Sequence, residues 1–134
     1  MNGIEWIIEA HGCDPLALAD MSRLRRLFAH MVAEIGLRPV TDTQWHQFPS
    51  LSFDHPSSGG ITGLCLLAES HLTVHTFPEH GSLCLNLFCC KPRTEWDFTA
   101  NLKLEFRAES VEIRRLERHY ASPLVQAGQR SGRR

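Results

Sequence analysis

Residues 61–68, 72–77 and 83–89 are three short runs of aliphatic and β-branched side chains, and turn formers such as Pro78 and Gly81 separate the last two. A parallel pair of strands needs a crossover of a dozen or more residues, and no such length lies between these runs. They therefore predict an antiparallel meander around which the rest of the chain must be arranged.

Upstream, residues 4–10 form another apolar run, containing Trp6, Ile7 and Ile8, that stops at His11, Gly12 and Cys13. Asp14 followed by Pro15 reads as a helix start, with the acid as N-cap and the proline at the first helical position. Leu18, Met21, Leu24, Leu27, Phe28 and Met31 then recur mostly every three and four residues, which predicts one amphipathic helix ending near Gly36. Residues 37–45, with Val40, Thr41 and Thr43, suit a strand. Residues 49–60 collect Pro, Ser, Asp and Gly and read as a loop of the length that is usually functional or mobile. Residues 94–106 predict a second helix, with Trp96, Phe98, Leu102 and Leu104 for packing, and 111–116 a last strand. The order β-α-β-β-β-β-α-β is that of an α+β fold, a two-layer α/β sandwich with a mainly antiparallel sheet and two helices on one face. Residues 1–121 make this single domain, and the polar tail 122–134 is expected to be disordered. The uncovered sheet face calls for a second protomer.

Composition removes several functions. Among 134 residues, 14 Lys and Arg stand against 15 Asp and Glu for a net charge of −1, so the basic footprint of a nucleic-acid binder is missing. No apolar run nears the roughly 20 residues of a membrane helix. Acids stand where a signal peptide would carry bases. The five cysteines, Cys13, Cys65, Cys84, Cys89 and Cys90, are odd in number and lack framework spacing, so the chain reads as cytoplasmic with reduced thiols.

Chemistry concentrates in residues 69–81, Glu-Ser-His-Leu-Thr-Val-His-Thr-Phe-Pro-Glu-His-Gly, followed by Cys84, Cys89 and Cys90. His71 and His75 stand four apart, as in helical zinc sites. Leu-Thr-Val between them favours a strand, where that step spans roughly 13 Å at ~3.3 Å per residue, too far for one ion. A site of His80, Cys84 and Cys89 stays open but has no Cys-x-x-Cys pair, and the reading is that no metal is bound. Ser70 lies in Glu-Ser-His rather than a Gly-x-Ser-x-Gly elbow, so no hydrolase triad is signalled. From residue types and spacing, nucleophilic catalysis and a structural role for His75 and packed thiols both stay open.

The same segment resembles the processing site of the bacterial and archaeal S-adenosylmethionine decarboxylases, Glu-Ser-His-Leu-Thr-Ile-His-Thr-(Trp/Phe)-Pro-Glu-(Tyr/His)-Gly. The likeness covers roughly residues 3–117. It includes Gly12, Cys13 and Asp14 before the first helix and His46 and Phe48 before the loop. It also takes in Gly60-Ile61-Thr62-Gly63 for the usual Gly-Val-Ser-Gly, and Leu87-Phe88-Cys89-Cys90 for hydrophobic-aromatic-Thr-Cys.

The resemblance implies an inactive proenzyme cut between Glu69 and Ser70 into residues 1–69 and 70–134. Ser70 attacks the preceding carbonyl, the ester eliminates, and the new N-terminus becomes a covalent pyruvoyl cofactor. That group takes the substrate amine as a Schiff base and accepts electrons while CO₂ leaves. By the same resemblance His75 assists processing, and Thr62 stands for a serine that also aids it. Cys90 reprotonates the substrate carbon. Phe48 offers an aromatic surface to the adenine, and Glu69, on the leaving side of the cut, is grouped with both the processing and the substrate-binding residues. A homodimer of cleaved protomers, with sites at a two-fold interface, is implied as well.

The chain departs from the family pattern in places. Residues 49–60 replace a short Pro-x-Gly connection, Asn86 replaces an acid, Cys89 a Thr and Lys91 a Gly. The substrate implied is S-adenosylmethionine, whose decarboxylated product feeds polyamine (spermidine) synthesis. Arginine or ornithine, used by some relatives, are the alternative, and a non-processing homologue with a binding or regulatory role is a third reading. A basic amino acid would want carboxylates near its distal cation, whereas Asp54 is the only acid in the loop and the acid at 86 is gone. The adenosyl compound is therefore the expected substrate.

Overall fold

The computed structural model describes residues 2–50 and 59–121. Six strands, Asn2–His11 (β1), Gln44–Gln47 (β2), Ile61–Leu67 (β3), Ser70–Phe77 (β4), Ser82–Cys89 (β5) and Ser110–His119 (β6), form one sheet in the order β2-β3-β4-β5-β1-β6. Every neighbouring pair is antiparallel. The helices are Pro15–Leu18 (α1), Met21–Ile35 (α2) and Phe98–Phe106 (α3), and a 3-10 turn, Pro78–His80, joins β4 to β5.

Period-two alternation sorts each strand's side chains. Ile61, Cys65 and Leu67, then Leu72 and Val74, then Leu83, Leu85, Leu87 and Cys89 are buried, as are Ile4, Trp6 and Ile8. They pack with Leu24, Leu27, Phe28 and Met31 of α2 and Phe98, Leu102 and Phe106 of α3. Intervening residues, including Thr62, Leu64, Leu66, His71, His75, Phe77, Asn86 and Glu5, belong to the other face, which no helix among the described residues covers. The expected two-layer α+β sandwich is present, with the meander placed to within two residues.

The first helix departs from expectation, because one turn (α1) and a separate α2 replace a continuous span. Thr76 Oγ1 donates to the Leu18 carbonyl and Gln47 Nε2 to the Ala19 carbonyl, each at 2.8 Å, so both acceptors that would continue the helix are taken by the sheet. Asp20 then starts α2 by accepting from the Arg23 N–H at 3.2 Å, a cap worth about 1 kcal/mol. Gly36 ends α2 in the left-handed conformation, as expected.

The strand expected over 37–45 shrinks to a lone bridge between Pro39 and Leu67, and β2 starts only at Gln44. Proline has no N–H to extend a ladder. The second helix begins at Phe98 rather than 94, because Asp97 caps it while Trp96 lies outside it with its indole N–H on the Glu34 carboxylate. Leu104 is not a packing residue, since it is 76% exposed. The interior of the 49–60 loop, Asp54 included, and the tail 122–134 lie outside the described residues.

Candidate active site

The β3–β4 register pairs Leu67 with Ser70, which leaves Ala68 and Glu69 as a two-residue turn. Glu69 has φ 61°, the left-handed region that costs a side chain about 1–2 kcal/mol. Ser70 pairs with Cys89 on β5, so the next residue reaches back over the turn: the Cys90 N–H donates to the Glu69 carbonyl at 2.9 Å. Ser70 Oγ donates to the Ala68 carbonyl at 3.4 Å, one peptide from the bond it would attack. Lys91 Nζ lies 3.5 Å from the Glu69 carboxylate, and the Tyr120 hydroxyl donates to the Cys90 carbonyl at 3.3 Å. The strained peptide, the Ser70 hydroxyl and a donor on the Glu69 carbonyl therefore meet at one end of β4.

The two adjacent cysteines differ. Cys89 is buried in the core, and burial pushes its thiol up despite the Arg93 guanidinium nearby. Cys90 is turned out of the core and is half-buried beside the turn. Of these two neighbours, Cys90 is the one whose thiol is open to solvent.

At the other end of β4, Thr62 and His75 face each other across the β3–β4 ladder, with Oγ1 and Nδ1 hydrogen-bonded at 3.0 Å. They line a cleft of about 1110 Å³ together with Phe48, Phe77 and Glu79. Phe48 is 51% exposed and meets the His46 ring edge-on at 4.5 Å. Its N–H donates to the Gly60 carbonyl and its carbonyl accepts from the Gly59 N–H, so the two ends of the long loop are clamped together at Phe48. The insertion leaves Phe48 in the cleft wall.

These two groups are not one site within a chain. Ser70 and His75 are five residues apart on a strand, roughly 16 Å at ~3.3 Å per residue. The structure brings together Glu69, Ser70 and Cys90, and separately Thr62, His75 and Phe48. Phe77 and Glu79 join the second group without having been singled out in the sequence, as does Cys84, the cross-strand partner of His75, which the sequence offers only as a metal ligand with His80 and Cys89. Alternation from His75 was signal enough for Phe77, whereas Cys84 depended on the β4–β5 register. No cluster of three or more His, Cys, Asp or Glu suited to a metal occurs among the described residues.

Comparison with known proteins points the same way. The family model described as S-adenosylmethionine decarboxylase matches residues 4–119. The S-adenosylmethionine decarboxylase proenzyme of Thermococcus gammatolerans is 32% identical over 117 residues, covering 87% of this chain and 76% of its own. S-adenosylmethionine decarboxylase proenzyme 2 of Halalkalibacterium halodurans is 31% identical over 113 residues, covering 84% and 82%. The crystal structure of the adenosylmethionine decarboxylase from Aquifex aeolicus shares the fold, with a TM-score of 0.71 at 21% identity over 90% of this chain and 93% of that one. With nearly all of its strands and both residue groups inside the matched span, the chain belongs to the S-adenosylmethionine decarboxylase family.

Proposed function

We propose that this chain is a carboxy-lyase made as a proenzyme, which cuts itself between Glu69 and Ser70 and then, as a homodimer, decarboxylates S-adenosylmethionine for spermidine synthesis. The observation that carries the reading is the turn itself, where a left-handed Glu69 offers its carbonyl to the Cys90 N–H beside the Ser70 hydroxyl. A backbone donor on a carbonyl under attack stabilises the charge that develops on its oxygen. Ser70 Oγ bonds to the Glu69 carbonyl carbon, the C–N bond breaks, and the acyl group is left as an ester. Loss of the Ser70 α-proton with expulsion of the Glu69 carboxylate, then addition of water and loss of ammonia, gives the pyruvoyl end. These residues fit the group because Ser70 supplies its carbon skeleton and the added water its keto oxygen.

The proton transfers need a base, and His75 of the same chain is out of reach. The open sheet face supplies the solution. Leu64 and Leu66 on it are 46% and 53% exposed, and a second protomer packed there about a two-fold axis crossing β4 midway would lay each Ser70 end over the other protomer's His75 end. Thr62 then holds the His75 ring, whose other nitrogen handles the proton near neutral pH.

The pyruvoyl carbonyl supplies a site for the substrate amine and an electron sink as CO₂ leaves. Cys90 delivers a proton to the substrate carbon. Phe48 and Phe77 present aromatic faces to adenine and sulfonium, and Glu79 a carboxylate to the same cation. The cysteines of the described structure are all free thiols, in keeping with a cytoplasmic enzyme.

Purified protein is expected to separate under denaturing mass spectrometry into residues 1–69 and a 70–134 fragment with a blocked N-terminus. It should release CO₂ from S-adenosylmethionine and not from arginine or ornithine. Turnover of either amino acid with none of the adenosyl compound would transfer the same chemistry to a different substrate, and a chain that never cleaves would refute the reading.

A further inference from the structure

We propose that His71 is a positioning residue for the decarboxylation, fixed by a hydrogen-bonded chain through Asn86 to Glu5 that holds the start of the 70–134 subunit once the Glu69–Ser70 bond is gone. This rests on the pyruvoyl reading above.

The chain has a defined direction. Asn86 Nδ2 donates to Glu5 Oε2 at 2.7 Å, and a carboxylate only accepts, so the amide cannot flip. Its Oδ1 is thereby turned to His71 Nε2 at 3.0 Å. An amide oxygen also only accepts, so Nε2 carries the proton, and Nδ1, the ring nitrogen nearer the backbone, is the one Asn86 does not engage. Glu5 anchors the chain: its side chain is 12% exposed and ion-paired with Arg118. Burial pushes its carboxyl up, but Asn86, Arg118 and His71 together bring it below the usual carboxylate range.

The ring is held on its face as well. His71 stacks on Phe88 with centroids 5.5 Å apart at 23°, and the Arg118 guanidinium lies 5.9 Å from the Phe88 centroid. Gly3 makes room for this stack, since a Cβ there would lie 3.2 Å from the Phe88 ring and 2.7 Å from the Cys89 carbonyl.

The position explains the need. His71 supplies the amide nitrogen attached to residue 70, so its orientation sets that of the reacting carbonyl. After cleavage residue 70 has no neighbour on its N-terminal side. The ladders to Cys89 and Leu67 hold its backbone, and the His71 side chain fixes the orientation of the residue attached to it.

The test compares the wild-type chain with Asn86→Leu, Glu5→Leu and Glu5→Gln by mass spectrometry of cleavage, steady-state kinetics on S-adenosylmethionine and ¹⁵N NMR of the His71 ring. Cleavage is expected to persist in all of them. Asn86→Leu and Glu5→Leu should lose about ten-fold or more in kcat with KM within about two-fold, the scale of a misplaced reacting group. Their His71 signal should pass from the Nε2–H pattern to a mixture of tautomers. Glu5→Gln keeps an acceptor for Asn86 and should recover most of the rate lost in Glu5→Leu. If Asn86→Leu fails to fold, Asn86→Ser reads the same loss. Wild-type kcat in the Asn86 variants, a change in KM alone, or an Nδ1–H pattern in the wild type would overturn the proposal while leaving cleavage and turnover intact. Absence of wild-type cleavage would instead sink the reading on which it rests, and the proposal with it.

Discussion

Ser70→Ala is expected to purify as one uncleaved chain of 15.2 kDa and to release no CO₂ from S-adenosylmethionine. The turn has one hydroxyl, and its neighbours Ala68, Glu69 and His71 cannot form an ester that eliminates to a carbonyl. Removing Oγ therefore removes both the nucleophile and the leaving oxygen whose departure with the Glu69 carboxylate makes the elimination possible. The substitution is small, and the β4 ladder pairs Ser70 through its backbone, so the fold should persist. Denaturing mass spectrometry and a CO₂ assay check both outcomes, and a cleaved Ser70→Ala chain would move the scissile bond elsewhere.

Cys90→Ala should separate the two stages. Cleavage draws on the Cys90 backbone N–H, which alanine retains, so the variant should still yield the 1–69 and 70–134 fragments. Decarboxylation draws on the thiol, and loss of a positioned proton donor should lower kcat by about 10²–10⁴-fold. On the proposed mechanism one residue would thus serve processing through its main chain and turnover through its side chain. Full turnover by cleaved Cys90→Ala would take the thiol out of the mechanism.

The meander was readable because a half-buried strand writes its period into local sequence, and 61–89 does so on three successive strands. What was not readable depended on partners distant in sequence. Nothing near Leu18 says that Thr76 and Gln47 will take the Leu18 and Ala19 carbonyls, yet those two bonds break the first helix. Trp96 has a good apolar pattern for a helix from 94, but its indole is committed to Glu34 of α2, and the helix waits for Asp97.

The candidate site divides in the same way. Residue types at 69–81 marked the segment but left catalysis and packing both open, and the resemblance assigned roles to Ser70, His75, Cys90, Thr62 and Phe48. The five-residue step from Ser70 to His75, however, is arithmetic that a list of site residues conceals until β4 is seen to be one straight strand. The Cys90 N–H on the Glu69 carbonyl and the Glu5–Asn86–His71 chain were invisible, since both follow from the β4–β5 and β1–β5 registers.

The central claim is that each processing site takes its serine from one protomer and its histidine from the other, and co-expression of Ser70→Ala and His75→Ala chains carrying different tags tests it. Each variant alone should remain uncleaved. In heterodimers isolated through both tags, the His75→Ala chain supplies Ser70 and Cys90 while the Ser70→Ala chain supplies Thr62 and His75, so one complete site forms. Mass spectrometry should then find the His75→Ala chain cut between residues 69 and 70 and the Ser70→Ala chain intact. Heterodimers in which both chains stay whole would contradict the shared site, as would cleavage of His75→Ala homodimers.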